Sequence, residues 1–350
     1  MSEVDVLVVG CRIAGSLTAL RLAARGVVVR VLESRDFPSE TLSTHFFRGD
    51  GLVRSLGEVD VLEEVLSTGA PPMACEYFSV DGGVFEQGPP QDPGDIGYTL
   101  SVRRSVLDSI LARRVEATVD VRLRTKVVDL VFRNGSVVGV VDDHGEHHFA
   151  GVVVGADGRR STLARLVRAA SIERAPAARA LYYRYVTGWR SPDAVGPEFA
   201  LDGEAFLYAF PSDAGLTCLA VSVPVNDHAQ AGRDPRARLE HVFRQHPRTT
   251  DRLQHVEWVS RVFVGQPADS VWRAAHGPGW ALVGDAATCQ DPWAGLGMDT
   301  AARQAEAFAE AFATSPETWG AVYERLRHER THEGYAQTTR LAPDLRQLIG

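Results

Sequence analysis

Lysine is nearly missing from this chain. Lys126 is the only one in 350 residues, so arginine carries almost all the positive charge, and chemistry that needs a lysine amine has a single candidate. Cysteine is sparse: Cys11, Cys75, Cys218 and Cys289 form no C-x-x-C pair. That argues against a zinc site and fits reduced thiols in a cytoplasm. No apolar run approaches the roughly 18 residues of a membrane helix. The start, MSEVDVLVVG, has no basic region ahead of an apolar core, so no signal peptide is expected. A surplus of positive charge is also lacking. The net charge of −8 supplies no basic field for nucleic acid. Internal repeats and long low-complexity linkers are absent. The expectation is a cytoplasmic protein with no membrane and no nucleic-acid partner. Its hydrophobic fraction, 45%, is ordinary for a globular chain, and its length suits one large domain or two intimately joined ones.

What is present begins with a β-α-β unit. Val4 to Val9 is a continuous apolar run with one acid, which reads as a buried parallel strand. Ser16 to Arg25 is helical, with Gly26 suited to its C-terminal cap, and Val27 to Leu32 is a second buried strand ending in Glu33. Further on, the pattern predicts a helix near Leu52 to Ser67, a hairpin around Asp81-Gly82-Gly83 and an amphipathic helix from Arg104 to Ala117. Residues 121 to 155 read as a strand and a meander with turns at Asn134-Gly135 and His144-Gly145. Residues 173 to 267 hold short alternating strands and a helix near Pro235 to His246. GWALVGDAA is another buried strand, followed by a Gly/Pro loop, a helix from Thr300 to Ala313 and a polar helical tail.

Three strand ends carry the chemistry. Gly10-x-Arg12-x-x-Gly15 follows the first strand and opens a helix, as in the dinucleotide fingerprint G-x-G-x-x-G, but arginine replaces the middle glycine. The first glycine serves the tight turn and the third lets helix and strand pack closely. Phosphate sits on such a helix N-terminus. Glu33 stands about 20 residues on, where a carboxylate accepts from ribose hydroxyls. Arg12 lacks glycine's permissiveness and adds a full positive charge beside a diphosphate. The second strand end is Gly155-Ala-Asp157-Gly158-Arg159. The third is Gly284-Asp285-Ala-Ala, with Asp291-Pro292-Trp293-Ala-Gly295-Leu-Gly297-Met298 just downstream. A strand-end carboxylate beside glycine can accept from sugar-like hydroxyls, and the next helix N-terminus faces a second negative charge.

Together these motifs resemble the FAD-dependent monooxygenases of the para-hydroxybenzoate hydroxylase type. The Gly-x-Arg-x-Ala-Gly form is similar to a branch related to geranylgeranyl reductase-like flavoproteins. The resemblance covers about 300 residues and is vague over 173 to 267. It implies an α/β fold in which a Rossmann-like FAD-binding domain of the glutathione reductase type (1–75, 101–172 and 268–315) interleaves with a mixed β-sheet substrate domain (76–100 and 173–267). Residues 316–350 would be a helical tail. It implies FAD held by Gly10, Arg12, Ile13, Ala14, Gly15, Glu33 and Ser34 at the ADP half, with Val128 nearby. Asp157 and Gly158 would match the family's D-G motif, and Gly284 and Asp285 the ribityl site. Arg48 would lie near the pyrophosphate, and Arg104, with Arg103 as an alternative, near the ribityl side. Pro292, Gly295, Gly297 and Met298 would form the flavin-edge loop, although DPWAGLG departs from the commoner P-x-x-G-x-G.

The implied reaction is reduction of FAD by NADPH or NADH, addition of O2 to give a flavin hydroperoxide, and hydroxylation or epoxidation of an aromatic or polyketide-like small molecule. No second G-x-G-x-x-G occurs, so the nicotinamide visits transiently or a separate flavin reductase supplies electrons. The rival readings are an alkene reductase or dehydrogenase resembling geranylgeranyl reductases, a flavin halogenase, and a ligand-binding flavin fold without turnover. The halogenases use a lysine near the substrate and a W-x-W-x-I-P motif, and VEWVSRVF is no match.

Several candidates keep two readings. Phe206, Tyr208 and Phe210 alternate on one strand face, as do Tyr183 and Tyr185; such faces roof an aromatic substrate or form sheet core. Trp293 lines the pocket or packs. His45, in TLSTHFF, is either a base for a phenol or a satisfied histidine. His144, His147 and His148 read as a solvated turn, and no metal is expected. Cys11 and Cys289 read as small packing residues.

Overall fold

The computed structural model describes residues 4–43, 45–80, 83–87, 96–191, 195–231 and 234–348. Val4–Val9 runs between two parallel neighbours, Val29–Leu32 and His147–Gly155, with Val6 opposite both Val29 and Val152. Trp280–Leu282 continues the sheet beyond His147–Gly155, and Asp120–Arg122 continues it beyond Val29–Leu32. Parallel strands covered on both faces have no room for polar alternation, which is why Val4–Val9, the end of His147–Gly155 and Trp280–Leu282 read as apolar runs. The chain passes from Val9 to Val29–Leu32 on one side, while the later strand His147–Gly155 takes the other side. That is a topological switch point, where open α/β sheets place ligands.

The meander Val127–Arg133, Ser136–Asp142 and His147–Gly155 forms as expected. Asn134 (φ 51°) and Gly135 (φ 80°) both lie in the left-handed region, as the two-residue turn of a twisted hairpin requires. The Asp81-Gly82 turn lies outside the described residues, but the strands on either side of it, Glu76–Val80 and Gly83–Gln87, are paired.

A second sheet contains Arg179–Thr187, Thr217–Pro224, Ala205–Pro211, Glu198–Asp202 and Glu76–Val80. Both of its faces are buried. Leu181, Tyr183 and Tyr185 join Phe199, Phe206, Tyr208, Phe210 and Trp293 on one face. Ala180, Tyr182 and Val186 join Leu207, Ala209 and helix Pro235–Gln245 on the other. A small sheet of Ser171–Ala175, Ser270–Arg273 and Thr288–Cys289 stands between the two larger ones in the chain.

Three elements differ from expectation. The helix expected at Leu52 to Ser67 is broken into Gly49–Val53, Arg54–Glu58 and Leu62–Leu66. Asp60, at φ 57°, turns the chain so that Val59, Val61 and Val65 all reach the core. The helix expected from Thr300 starts at Gly297 and ends at Thr314, so Gly297 and Met298 belong to its first turn. Residues 316–350, expected as a polar helical tail, do hold a helix, Trp319–Leu341, but it is bound into both cores. Tyr323 is fully buried and donates to the Leu282 carbonyl at 2.6 Å, while Leu341 and Ala342 pack under the second sheet. Its apparent polarity misleads because Arg327 is fully buried, donating to Thr288 Oγ1 and the Arg273 carbonyl with its guanidinium 4.0 Å over the Trp272 ring.

Candidate functional site

The N-terminal turn is built by two glycines with different duties. Gly10 sits at φ 104°, and a Cβ there would stand 2.6 Å from the Ala156 carbonyl oxygen. Gly15 has an ordinary helical conformation, but a Cβ on it would lie 1.8 Å from the Gly10 carbonyl oxygen. Position 12 makes neither demand. Arg12 has φ −96° and ψ −168°, an extended conformation open to any residue. Its Nη2 donates to Ser39 Oγ at 3.2 Å, and its Nη1 lies 3.8 Å from Asp108 Oδ2. Glu33 closes the turn: Oε2 accepts from the Cys11 N–H at 2.8 Å, and Oε1 accepts from Ser34 Oγ and the Arg35 N–H.

At the second strand end, Asp157 Oδ2 accepts from the N–H groups of Thr162 (2.6 Å) and Leu163 (3.2 Å), capping helix Thr162–Leu166. Its Oδ1 is buried with no protein partner. Burial pushes the Asp157 carboxyl up, against the pull of Ser161 and these amides. At the third, Gly284 (φ 66°) donates its N–H to Gln304 Oε1. Asp285 follows; burial raises its pKa, and Arg159, Arg104 and Arg273 oppose that rise. In DPWAGLG, Asp291 Oδ1 accepts from the Trp293 N–H and Oδ2 from the Arg179 N–H. Burial pushes Asp291 up to about 6. Gly295 then takes φ 69°, and Gly297 opens the long helix with open space where its Cβ would be.

One cavity of about 800 Å³ joins the three strand ends. Around the first turn it gathers Gly10, Arg12, Ile13, Ala14, Glu33 and Ser34. Arg104, Asp157, Gly158 and Asp285 form its middle set, and Pro292, Gly295, Gly297 and Met298 line the loop end. Leu181, Tyr183, Gly265 and Gln266 of the second sheet complete the wall. The residues fit FAD. The orphaned Asp157 oxygen, the glycine cradle and the carboxylates at the strand ends suit hydroxyls and a diphosphate, and a volume of this order holds a large ligand.

Eight predicted residues do not line it. Gly15 and Gly284 lie behind the wall; a Cβ on Gly284 would meet Ala14 Cβ at 2.8 Å. Val128 is 40% exposed, and strand alternation gives the cavity Val127 instead. Arg48 turns elsewhere: its guanidinium covers Phe46 at 5.0 Å and lies 3.7 Å from Asp299 Oδ2. Phe210 and Tyr208 are sheet core, and Tyr208 Oη donates to the Trp293 carbonyl at 2.6 Å. Trp293 donates its indole N–H to the Thr338 carbonyl and ties the loop to the C-terminal helix. Of the candidate substrate residues, only Tyr183 lines the cavity. Of the turn histidines read as solvated, His148 is buried and pairs with Asp142 at 2.9 Å.

His45, the eighth, is 2% exposed, at φ 61°, with Nε2 against Tyr185 Oη at 2.9 Å and Tyr183 edge-on at 5.0 Å. Burial depresses its pKa to about 3, so it stays neutral where a phenol base would have to titrate. Its consequence is for stability. Below its ordinary value of 6.5 the unfolded chain binds a proton that the folded chain refuses down to about 3. Stability present above pH 6.5 is therefore lost as pH falls through that window, by roughly 2 kcal/mol between pH 7 and pH 5. Asn tolerates this backbone. Denaturant melts of His45→Asn are expected to show that much less acid sensitivity; an unchanged pH profile would refute the assignment.

Sequence reasoning missed Asp299. It accepts from the N–H groups of Arg48 and Leu52 and is pushed up to about 6 by burial. A Cβ on Gly51 would stand 2.4 Å from its Oδ1, so the loop of Arg48 is clamped to the long helix. An acid in a helix's first turn was the available signal. Also missed were the cavity cations Arg35 and Arg160, and the place of Lys126 in the wall.

Comparison with known proteins gives the family and the fold. The model of the FAD binding domain family matches residues 3–331. A kynurenine 3-monooxygenase of Salinispora tropica is 29% identical over 98% of this chain and 81% of its own length. Digeranylgeranylglycerophospholipid reductase 2 of Methanothermobacter thermautotrophicus is 28% identical over 90% of this chain and 79% of its own. Among solved structures, the myxobacterial chondrochloren halogenase CndH superimposes with a TM-score of 0.85 at 22% identity, covering 96% of this chain and 82% of that one. Pseudomonas aeruginosa PqsL in complex with 2-aminobenzoylacetate gives 0.81 at 21% identity, covering 97% of each.

Proposed function

The chain belongs to the FAD-binding domain family as an FAD-dependent oxidoreductase of the monooxygenase type, and from that premise we propose that it inserts oxygen into an aromatic or polyketide-like small molecule, using electrons from NADPH or NADH. The observation that carries this reading is the continuity of the cavity. It runs from the Gly10 turn past Asp285 and Gly297 to Tyr183, Leu181 and Gln266 of the second sheet, so cofactor and substrate share one enclosure. FAD, when bound, supplies the two-electron and O2 chemistry.

The chain's own residues bind, orient and exclude water. Arg12 and the free N–H groups opening helix Ile13–Ala23 receive the diphosphate. Glu33 and Asp285 accept from sugar and ribityl hydroxyls. The start of helix Gly297–Thr314 has no side-chain cap. Its free N–H groups and dipole stabilise negative charge at the ring edge, by roughly 0.3–2 kcal/mol for the dipole part. Tyr183, stacked on Phe263 at 4.8 Å, offers a flat face to a flat substrate. Burial keeps its hydroxyl protonated, so it donates and does not act as a base.

Lys126 supports oxygenation over halogenation. The residue before it, Thr125, donates its N–H to the Glu33 carbonyl, which puts the only lysine at the ADP end. Alkene reduction is the second reading, favoured by the reductase relative. The test is to reduce the purified yellow protein with NADPH, with and without candidate aromatics, and then admit O2. Hydroxylated product is expected. Oxygen-indifferent hydride transfer to an alkene establishes the second reading, and a colourless protein without FAD affinity refutes both.

A further inference from the structure

A carboxylate outside the cavity wall organises the charge within it. Helix Arg104–Glu116 places Arg104 and Asp108 one turn apart on the same face. Arg104 grips Asp108 through Nε and Nη2, both at 3.0 Å, the two-pronged geometry of a strong arginine–carboxylate pair. Asp108 Oδ2 also lies 3.8 Å from Arg12 Nη1. Asp108 is completely buried, Arg104 is 9% exposed, and Arg12's side chain is 24% exposed. Both arginines line the cavity, and Asp108 does not.

We propose that Asp108 is a positioning residue that holds Arg12 and Arg104 together as one phosphate-reading unit, so that the site selects flavins by their phosphate charge. Two guanidiniums held against one carboxylate repel each other; the carboxylate between them removes that cost. A buried Asp needs paired cations, and this one has two. The unit keeps one net positive charge, placed beside the turn where Gly10 and the helix N-terminus already favour an anion. It explains how position 12 gives up the close backbone approach of a glycine: charge held by Asp108 replaces it. Ser39 holds the far side of Arg12, so the guanidinium is tied at both edges.

The inference rests on FAD binding at this cavity, and its test separates the two. Apoprotein prepared from purified holoenzyme is titrated with FAD and with riboflavin, which lacks the phosphates, by quenching of flavin fluorescence. Asp108→Asn keeps the shape and removes the charge. It is expected to weaken FAD at least tenfold, to leave riboflavin within twofold, and to lose part of the salt dependence of FAD binding. In an Arg12→Gln background the same change should cost FAD binding much less, because the group it positions is already gone. Arg12→Gln alone, at a partly exposed position, should weaken FAD at least fivefold and spare riboflavin; it decides the matter if Asp108→Asn does not fold. Equal losses for both flavins, or no loss for either, overturn the proposal. Wild-type apoprotein that binds neither flavin overturns the cofactor assignment instead.

Discussion

Gly15→Ala is expected to yield a protein without flavin that unfolds at markedly lower denaturant concentration than the wild type. A methyl group at this position would stand 1.8 Å from the Gly10 carbonyl oxygen, 2.8 Å from its carbon and 3.3 Å from Ala156 Cβ. All but the last are backbone atoms of the turn itself, so no rotamer change relieves the contact. Helix Ile13–Ala23 must move away from the strand, taking its N–H groups away from the anion site. Overpacking of a tight contact costs about 1–3 kcal/mol, and this one belongs at or above the upper end. Gly297→Ala is the contrasting variant. Its Cβ meets nothing within 4 Å and it sits in ordinary helical conformation, so the fold should be kept while the flavin absorption shifts through a methyl at the cavity wall. Wild-type stability and flavin content in Gly15→Ala would show that the turn is softer than its geometry requires.

The contrast between positions 12 and 15 shows which parts of the site are written in the sequence. Gly10, Glu33, Asp157 and Asp285 stand at strand ends, and Gly15 in the first turn of the helix that follows one, where topology alone decides where a residue goes. The apolar runs before them fix the strands, and parallel strands deliver their carboxyl ends to one edge. Residues whose role depends on side-chain direction were not legible in this way. Tyr183 and Tyr208 share one face of the second sheet, on the two strands that flank Thr217–Pro224, yet Tyr183 lines the cavity and Tyr208 is capped by the Trp293 carbonyl. That difference comes from the loop and C-terminal helix packed over one end of the sheet. Arg48 lies in the expected loop, but Asp299, about 250 residues away, takes hold of the loop's amides and guanidinium. Asp108 was hidden for the same reason. Its partner Arg12 stands at the cap of another helix, and a helical pattern gives the i to i+4 neighbour without showing which third group completes the cluster.

Asp285 offers the sharpest separation of binding from stability. No protein donor among the described residues reaches its carboxylate, although its backbone carbonyl accepts from Arg273 at 3.4 Å. Burial raises its pKa above the ordinary 3.8, which means the ionised side chain strains the empty fold. Removing it should therefore relieve the apoprotein and cripple the holoprotein. Asp285→Ala is expected to bind FAD about 10–100 times more weakly, the loss of one charge-assisted hydrogen bond to a ribityl hydroxyl at roughly 1.5–3 kcal/mol. Its apoprotein should be at least as stable as the wild type at pH 7, the signature of a group kept for binding and not for folding. The pH dependence has a definite sign. Protonation of Asp285 favours the folded state, because its folded pKa exceeds its unfolded one. The wild-type deficit is thus greatest above the folded pKa and vanishes below about pH 3.8, where both states are protonated. Parallel denaturant melts of the two apoproteins across pH, with FAD titrations at neutral pH, read both effects. Unchanged flavin affinity in Asp285→Ala would remove the carboxylate from the cofactor site, whatever the melts show.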